Sequence, residues 1–184
     1  MATFVALAIT TAFLAAPFAE ASTPVFAFNG SKKEPAWVVV NDGVMGGVSS
    51  STVTVAKGAL RFAGRVRLEN NGGFASTRSS GVGAATNEAL VSGTSLLLRA
   101  RGSGTTFAIT LQTASGWYWA DIAPPRNEWT DIDLSYARFL PRTRFGEPIA
   151  GDSYSGQTIS AIGILVGNKR AENFVLEIDS ISVG

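Results

Sequence analysis

The sequence predicts an all-β protein, a single β-sandwich or jelly-roll domain of about ten strands. Short segments that alternate apolar and polar residues recur along the chain. Turn-forming residues interrupt these segments at intervals of about eight to twelve positions. No stretch with helical periodicity extends beyond a turn or two. A chain of 184 residues is long enough for one domain with a sizeable core and too short for two comfortable ones.

The first 21 residues have the pattern of a targeting segment. An apolar run from Phe4 to Ala16 is followed by Pro17 and by the small-x-small sequence Ala19-Glu20-Ala21. This order matches the apolar region and cleavage site of a secretory-type signal. The run is also shorter than the roughly 20 residues that span a membrane. We expect residues 1–21 to be a signal and 22–184 to be the domain; the alternative is a buried first strand or helix.

The first half of the domain consists of short predicted strands. Residues 23–30 (TPVFAFNG) and 36–42 (AWVVVND) are β-rich runs that end in Asn, Asp or Gly. Alternation on both sides of Lys57-Gly58 predicts a hairpin. A further strand holds Val66 and Leu68 on one face and ends at a turn over residues 70–73, after which Phe74 begins the next strand.

The second half continues the same pattern up to one irregular segment. Strand-like residues 95–101 and 106–112 flank a Gly-Ser-Gly turn, and the segments GWYWADIA and EWTDIDL flank a Pro-Pro-Arg-Asn turn. Residues 135–157 lack alternation and carry Phe139, Phe145, Arg142 and Arg144. A loop of this length is usually functional or disordered. It is either a partner surface or a crossover that wraps the sandwich edge and buries the two phenylalanines.

Composition removes several functional classes. The chain contains no histidine and no cysteine, which excludes Ser-His-Asp and Cys-His nucleophile systems, zinc sites of imidazole or thiolate, and disulfides. The 15 basic and 14 acidic side chains leave a net charge of +1 without a basic stripe. Nucleic acid is therefore not an expected partner, and we expect neither a cofactor nor metal-ligating residues.

Two glycine-rich stretches stand out as candidate sites. The first motif, VNDGVMGGVSSS at residues 40–51, holds three glycines beside the turn formers Asn41 and Asp42. It is typical of a tight strand connection, and the alternative is a calcium ion held by oxygen ligands. The second motif, LENNGGFAS at residues 68–76, places Glu69 before an Asn-Asn-Gly-Gly turn. Glu69 and Asp42 could form a glycosidase-type pair only if the two loops met, and we expect no catalysis.

Aromatic residues and one short glycine motif supply further alternatives. Trp117 and Trp119 are expected on one face of their strand and Tyr118 on the other. Such a face either stacks on sugar rings or belongs to the core. The sequence GVGAAT at residues 81–86 imitates a dinucleotide fingerprint. We expect no strand to end at it and no helix to follow it, so we predict no nucleotide site there.

The two motifs carry a family resemblance. The stretch from Trp37 through the first motif, and the spaced Phe62, Gly64 and Val66 that lead into the second, resemble the signature of the complex I intermediate-associated protein family, the thirty-kilodalton assembly-factor group. The similarity extends over residues 25–183. It implies a galactose-binding-like β-sandwich. It also implies a chaperone-like role, because mitochondrial members hold intermediates of respiratory complex I during assembly. No catalytic residue set comes with the resemblance.

The sequence therefore favours a non-enzymatic, chaperone-like factor whose protein partner is a subunit or intermediate of a membrane complex. The alternative is an exported carbohydrate-binding module with weak glycan binding. We expect only peripheral contact with a membrane. The signal predicts the periplasm, secretion or the thylakoid lumen, and the family implies the mitochondrion as the alternative location. The candidate binding surface comprises Asn41, Asp42, Gly43, Met45, Gly46, Gly47, Glu69, Asn70, Asn71, Trp117, Trp119, Phe139, Arg142 and Arg144.

Overall fold

The computed structural model describes residues 22–30 and 34–184. These residues form twelve β-strands, one α-helix and three short 3₁₀ turns. The strands are β1 (Thr23–Phe26), β2 (Trp37–Asn41), β3 (Ser50–Ala56), β4 (Ala59–Val66), β5 (Ala75–Ser79), β6 (Ser95–Gly102), β7 (Phe107–Thr113), β8 (Gly116–Ile122), β9 (Thr130–Ser135), β10 (Leu140–Arg142), β11 (Ile159–Val166) and β12 (Glu172–Val183). The helix α1 spans Ala84–Ser92, and the 3₁₀ turns span Asp42–Met45, Glu69–Asn71 and Tyr136–Arg138.

The strands form two sheets of six strands each. The first sheet has the order β3-β4-β12-β6-β9, with β1 paired to the end of β12. The second sheet has the order β10-β8-β7-β11-β5-β2. Paired strands run antiparallel throughout both sheets. This architecture confirms the predicted all-β sandwich.

The core lies between the two sheets because side chains alternate along each strand. On the first sheet, Phe62 of β4 and Phe174 of β12 point inward with their ring centroids 4.9 Å apart. On the second sheet, Ile109 of β7 and Ile164 of β11 belong to the same buried cluster. The residues between these inward positions on the second sheet consequently point to its outer face, where the candidate site is found.

The hairpin predicted at Lys57-Gly58 is confirmed. Both residues have positive φ, 54° and 77°, between the paired strands β3 and β4. A two-residue turn with positive φ at both positions matches the right-handed twist of the flanking strands. This short turn therefore sets the register of the hairpin.

Helix α1 shows that the prediction of no helix longer than a turn or two is wrong. It also contradicts the expectation that no strand ends at the GVGAAT stretch and no helix follows it. A strand does end just before that stretch, at Ser79, and a helix of nine residues does follow it. The pattern still does not form a dinucleotide site, because β5 pairs antiparallel with both neighbours and β6 lies in the other sheet. Among the described residues, no helix is long and apolar enough to cross a membrane.

Residues 135–157 form the crossover from the first sheet to the second. The segment contains a 3₁₀ turn and β10, a strand that the sequence did not predict. Phe139 is fully buried, with its ring 6.4 Å from that of Tyr136 in an edge-on arrangement. The prediction that Phe139 belongs to a binding surface is therefore wrong, because this side chain packs in the core. Phe145, in contrast, is 57% exposed.

Candidate functional site

The carboxylate of Asp42 is the point where the first motif meets the second. Asp42 begins the 3₁₀ turn after β2, and its side chain is fully buried. Its Oδ1 accepts a hydrogen bond from the Ser49 amide at 3.0 Å. Its Oδ2 accepts from the Ser49 hydroxyl at 2.6 Å and from the amides of Gly73 at 2.7 Å and Phe74 at 3.3 Å. The two motifs thus form one structural unit.

The surroundings of Asp42 explain its charge state. Burial raises the pKa of this carboxyl, but the hydrogen bonds from the Ser49 hydroxyl and from the backbone lower it by more, so its pKa lies below the ordinary value of 3.8. The groups around the carboxylate are hydrogen-bond donors rather than oxygen ligands, which does not suit a calcium ion. Among the described residues, no cluster of three or more acidic side chains could hold a metal ion.

Two glycines make room for this carboxylate. A β-carbon at Gly47 would lie 2.3 Å from Cγ of Asp42, and one at Gly72 would lie 2.6 Å from its Oδ2. Both distances are far below van der Waals contact. The glycines are therefore required by the close approach of the two chain segments.

The other polar residues of the motifs also serve local structure. Asn70 and Asn71 have positive φ, and the Asn70 amide donates to the carbonyl of Gly46 at 3.2 Å. The side-chain oxygen of Asn41 accepts from the Ser51 hydroxyl at 2.7 Å. These contacts make Asn41 and Asn70 determinants of the loop conformation.

Glu69 does not form an acid pair with Asp42. It is exposed and accepts hydrogen bonds from the guanidinium of Arg67 two residues earlier, which lowers the pKa of the Glu69 carboxyl. Asp42 is buried among donors of its own chain. The two carboxylates therefore lack the shared open space that a glycosidase pair requires.

A groove of about 760 Å³ lies on the outer face of the second sheet, beside the second motif. Residues of β7, β8 and β11 form its floor, the second motif borders one side, and the segment after β10 borders the other. Its lining includes Leu68, Asn71, Phe74, Ala108, Trp119, Asp121, Arg142, Arg144, Phe145, Glu147, Leu165, Asn168 and Lys169. We refer to this feature as the groove.

Trp119 is the largest side chain in the floor of the groove, and it is only 9% exposed. Its indole Nε1 is buried and has no hydrogen-bond partner within the described residues. Gly146 covers the six-membered ring so closely that a β-carbon there would lie 2.6 Å from Cζ3. The Arg142 guanidinium lies 5.9 Å from the ring centroid. The ring is thus covered by its own chain.

The cover over Trp119 is a short hairpin over residues 141–149. The Thr143 amide donates to the carbonyl of Glu147 at 2.8 Å, and the Ile149 amide donates to that of Pro141 at 3.1 Å. The Arg142 side chain donates to the carbonyl of Gly146 at 2.8 Å. These bonds give the 141–149 hairpin a defined shape.

The groove combines charges of both signs with exposed apolar surface. Arg142, Arg144 and Lys169 contribute positive charges, and Asp121 and Glu147 contribute negative ones. Phe145 projects from the 141–149 hairpin with the Arg144 guanidinium 4.7 Å from its ring centroid. Leu68 is exposed on the opposite side. Such a surface offers hydrogen-bond donors, acceptors and apolar anchors to a ligand.

The structure brings together only part of the predicted surface. Asn71, Trp119, Arg142 and Arg144 all line the groove. Trp117 lies on the same face of β8 as Trp119, as the alternation predicts, but outside the groove lining, and Tyr118 packs against the core. The predicted residues that lie outside the groove lining are Asn41, Asp42, Gly43, Met45, Gly46, Gly47, Glu69, Asn70, Trp117 and Phe139.

Several groove residues were not predicted from the sequence. Ala108 and Leu165 are direct neighbours on β7 and β11, and Ala108 also pairs with Asp121 on β8. Period-two alternation in residues 106–112 and 159–166 could have assigned a face to each of these residues. It could not have shown that these three strands are adjacent, because that depends on the order of strands in the sheet.

A family model described as Complex I intermediate-associated protein 30 (CIA30) matches residues 26–178. No curated protein sequence matches the chain significantly. The family match confirms the resemblance that the two motifs carry.

Solved structures with a similar fold include carbohydrate-binding modules. The family 11 module of the cellulosomal cellulase Lic26A-Cel5E of Clostridium thermocellum aligns with a TM-score of 0.58 and 14% identity, covering 89% of this chain and 95% of that chain. The Clostridium thermocellum family 11 module in complex with a β-1,3-1,4-mixed-linked tetrasaccharide gives 0.56 and 15%, covering 88% and 94%. A family 29 module gives 0.51 and 11%, covering 89% and 87%. At these identities the likeness supports the galactose-binding-like sandwich fold alone.

Proposed function

Because this chain belongs to the complex I intermediate-associated protein 30 (CIA30) family, we propose that it is a non-enzymatic, chaperone-like assembly factor that binds a subunit or an assembly intermediate of a membrane protein complex. The family's domain and the similar carbohydrate-binding modules are non-catalytic types of domain. In the family's mitochondrial members, the membrane complex is respiratory complex I.

The observation that carries this proposal is the position of the groove. The second motif, which belongs to the family signature, contributes Leu68 and residues 71–74 to the groove lining. Residues that the family match covers therefore shape a surface that is open to a ligand. The hydrogen bonds to Asp42 hold this wall in place, so the first motif supports the binding surface without touching the ligand.

The chemistry of the groove favours a polypeptide ligand. A peptide offers carbonyls to the arginines, amides to Asp121 and Glu147, and apolar side chains to Phe145 and Leu68. All of these contacts can form without a catalytic group.

Carbohydrate binding is the second candidate, and the similar modules favour it, one of them described in complex with a tetrasaccharide. The covered ring of Trp119 argues against sugar stacking at the groove floor. Half-buried Trp117 is the remaining stacking candidate on that face. A glycan array with the wild type and Trp117→Ala separates the two functions: binding that disappears on substitution supports a sugar ligand, and an array without signal removes it.

The direct test is to tag the native C-terminus and identify proteins recovered after mild crosslinking. We expect a membrane-complex subunit to be recovered. Phe145→Ala and Arg144→Ala, both exposed in the groove, should each lower recovery about fivefold, which corresponds to about 1 kcal/mol per truncated side chain. Val91→Ala, an exposed apolar position on α1, is the matched control and should retain full recovery.

Recovery of a monomer without any bound subunit would contradict the proposal. Equal losses of subunit recovery in Val91→Ala and in the two groove variants would also contradict it, because they would indicate a general effect on folding rather than a contact in the groove. Localising the same tagged protein tests the proposed export to a periplasm, the exterior or an organelle lumen against the mitochondrial alternative.

A further inference from the structure

Among the described residues, strand β2 is an apolar edge strand of the second sheet. Five strands of the described residues pair with a single neighbour: β1, β2, β3, β9 and β10. Natural proteins protect such edges with prolines, charges, polar residues or short length. Strands β1 and β10 are short and contain Pro24 and Pro141, β9 carries Asp131 and Asp133, and β3 is rich in serine and threonine. Strand β2 has the sequence WVVVN, which contains neither proline nor a charged residue. Strand β3 of the other sheet lies beside it, and the Ser51 hydroxyl donates to the Asn41 side chain at the end of β2.

The hydrogen-bond pattern shows which backbone groups of β2 are free. Ala36 and Asp42 flank the strand, and both hydrogen-bond to the segment that contains β5. The Ser80 amide donates to the Ala36 carbonyl, and the Asp42 amide donates to the Phe74 carbonyl. Alternation then directs Val38 and Val40 toward β5. Side-chain hydroxyls of β5 also donate to the carbonyls of these two valines.

The intervening residues Trp37 and Val39 consequently point their amides and carbonyls away from β5. No other strand of the described residues pairs with that side of β2. Side chains cannot satisfy a row of alternating donors and acceptors as completely as another extended backbone can. The geometry of this edge therefore specifies a strand as its ligand.

The side chains along the edge indicate that a ligand strand needs apolar residues and one charged residue. Val38 is 43% exposed and Val39 is 37% exposed on the opposite face of the strand. Arg78 lies directly beside Val38 in the register of β5 and β2. Within the described residues, no carboxylate forms an ion pair with Arg78. A carboxylate on the outer face of an added strand would complement this guanidinium.

We propose that the free edge of β2 binds an extended segment of the partner polypeptide, uncharged and rich in β-branched residues except for one acidic side chain near Arg78. The edge is a second contact surface, because no residue of β2 lines the groove. The proposal rests on the proposed function, since an unassembled subunit supplies such a segment before its own strands or helices are paired.

The test uses purified protein and a synthetic eight-residue peptide of alternating Val and Thr, with one central Thr replaced by Glu. Amide hydrogen exchange is measured by NMR. In the free protein the Trp37 and Val39 amides should exchange much faster than those of Val38 and Val40. Saturating peptide should slow exchange at Trp37 and Val39 about tenfold or more, because these amides become paired. The peptide with Lys in place of Glu should bind about fivefold more weakly.

Two variants locate the effect on this edge. Val38→Glu keeps every backbone hydrogen bond of β2 but places a carboxylate beside Arg78, which neutralises the guanidinium and repels the Glu of the peptide, so it should abolish the protection. Val39→Pro removes the amide that points to the free edge and should do the same. Val55→Glu, at an exposed valine of the edge strand β3, is the matched control and should retain protection. If Val39→Pro fails to fold, Val38→Glu and its control decide the question alone.

Three results would overturn the proposal. The first is unchanged exchange at Trp37 and Val39 at saturating peptide. The second is equal binding of a peptide that is N-methylated at every residue, which has no amide N–H left to donate to the edge. The third is protection that rises with protein concentration without peptide, which would assign the edge to a second copy of the chain. The groove variant Phe145→Ala should retain peptide binding, so failure here and failure of subunit recovery are separate outcomes.

Discussion

The Asp42 carboxylate accepts four hydrogen bonds in a fully buried position, so its charge is stabilised by donors of its own chain rather than by a cation. Three of these donors are backbone amides that belong to two separate loops. Buried amides are costly to leave unpaired. The side chain therefore determines the shape of both motifs, including the wall of the groove.

We predict that Asp42→Asn destabilises the protein by about 3 kcal/mol, because the new amide NH₂ group would face N–H and O–H donors and leave buried groups unpaired. The pKa of Asp42 is lowered on folding, so its contribution is complete above its ordinary value of 3.8 and is lost as the pH falls through the lower folded pKa. Urea denaturation between pH 2 and about 7 measures both effects.

The variant should therefore lose part of the acid sensitivity of the wild type as well as stability at neutral pH. Asp152→Asn, at an exposed aspartate, is the control and should change stability by less than about 0.5 kcal/mol. Wild-type stability at pH 7 together with an unchanged acid transition in Asp42→Asn would contradict the structural role of this carboxylate.

The 141–149 hairpin is the element that separates Trp119 from a ligand in the groove. Gly146 lies at its closest point to the indole, with φ of 91°, in a region that side chains rarely adopt. The hairpin is held by three backbone bonds of its own and by the Arg142 side chain. Pro141 and Arg142 at its start also pair with β8, so only its tip is free of the sheet. The position of that tip over Trp119 depends on the absence of a side chain at Gly146.

We predict that Gly146→Ala displaces the hairpin, because the new methyl group would lie 2.6 Å from Cζ3 of Trp119 and the residue would keep a strained positive φ. Stability should fall by about 1–3 kcal/mol. The NMR signals of the Cζ3–H and Cη2–H groups of Trp119, which lie against Gly146, should shift. Gly43→Ala provides the control, since a β-carbon at Gly43 has no heavy atom within 4 Å. Unchanged Trp119 signals in Gly146→Ala would show that the hairpin does not pack against the indole ring.

Elements with strong local signals were predictable. The β3–β4 hairpin follows from alternation around Lys57-Gly58, and both residues have the positive φ that its turn requires. Helix α1 was not predictable from periodicity, because its apolar residues do not form one stripe and Leu90 alone is fully buried. Strand β10 was missed because three residues including Pro141 give no alternation, and its pairing with β8 is a long-range contact.

At the scale of the whole molecule, the sequence predicts the layers but not the site. Alternation identifies inward residues such as Phe62 and Ile109, which suffices for a sandwich. The groove depends on strand order in the second sheet, on the contact of the two motifs through Asp42, and on the crossover segment. Phe139 and Phe145 are only six residues apart and have similar neighbours in the sequence, yet Phe139 is in the core and Phe145 is exposed. Such differences are set by tertiary packing.

The crossover also connects the two sheets through buried tyrosines, which leads to a prediction about alkaline pH. Tyr136 donates to the carbonyl of Leu90 on α1 at 2.8 Å, and its ring contacts that of Tyr154 with centroids 4.8 Å apart. Burial raises the pKa of Tyr136 from 10.0 to about 12. The pKa of Tyr154 is raised as well, by burial first and then by the neighbouring tyrosines.

Because these phenols hold their protons more tightly in the folded state, their contribution to stability is complete below pH 10 and is lost as the pH rises toward 12. Tyr136→Phe should cost about 1–3 kcal/mol at pH 7, since the Leu90 carbonyl loses its donor. In the wild type, the free energy of unfolding should fall between pH 9 and 11.5 as the tyrosines ionise. The variant should lack roughly the part of this fall that Tyr136 causes. Denaturation midpoints across this range provide the measurement. If Tyr136→Phe follows the wild-type pH profile, then ionisation of Tyr136 does not couple the crossover to the stability of the sandwich.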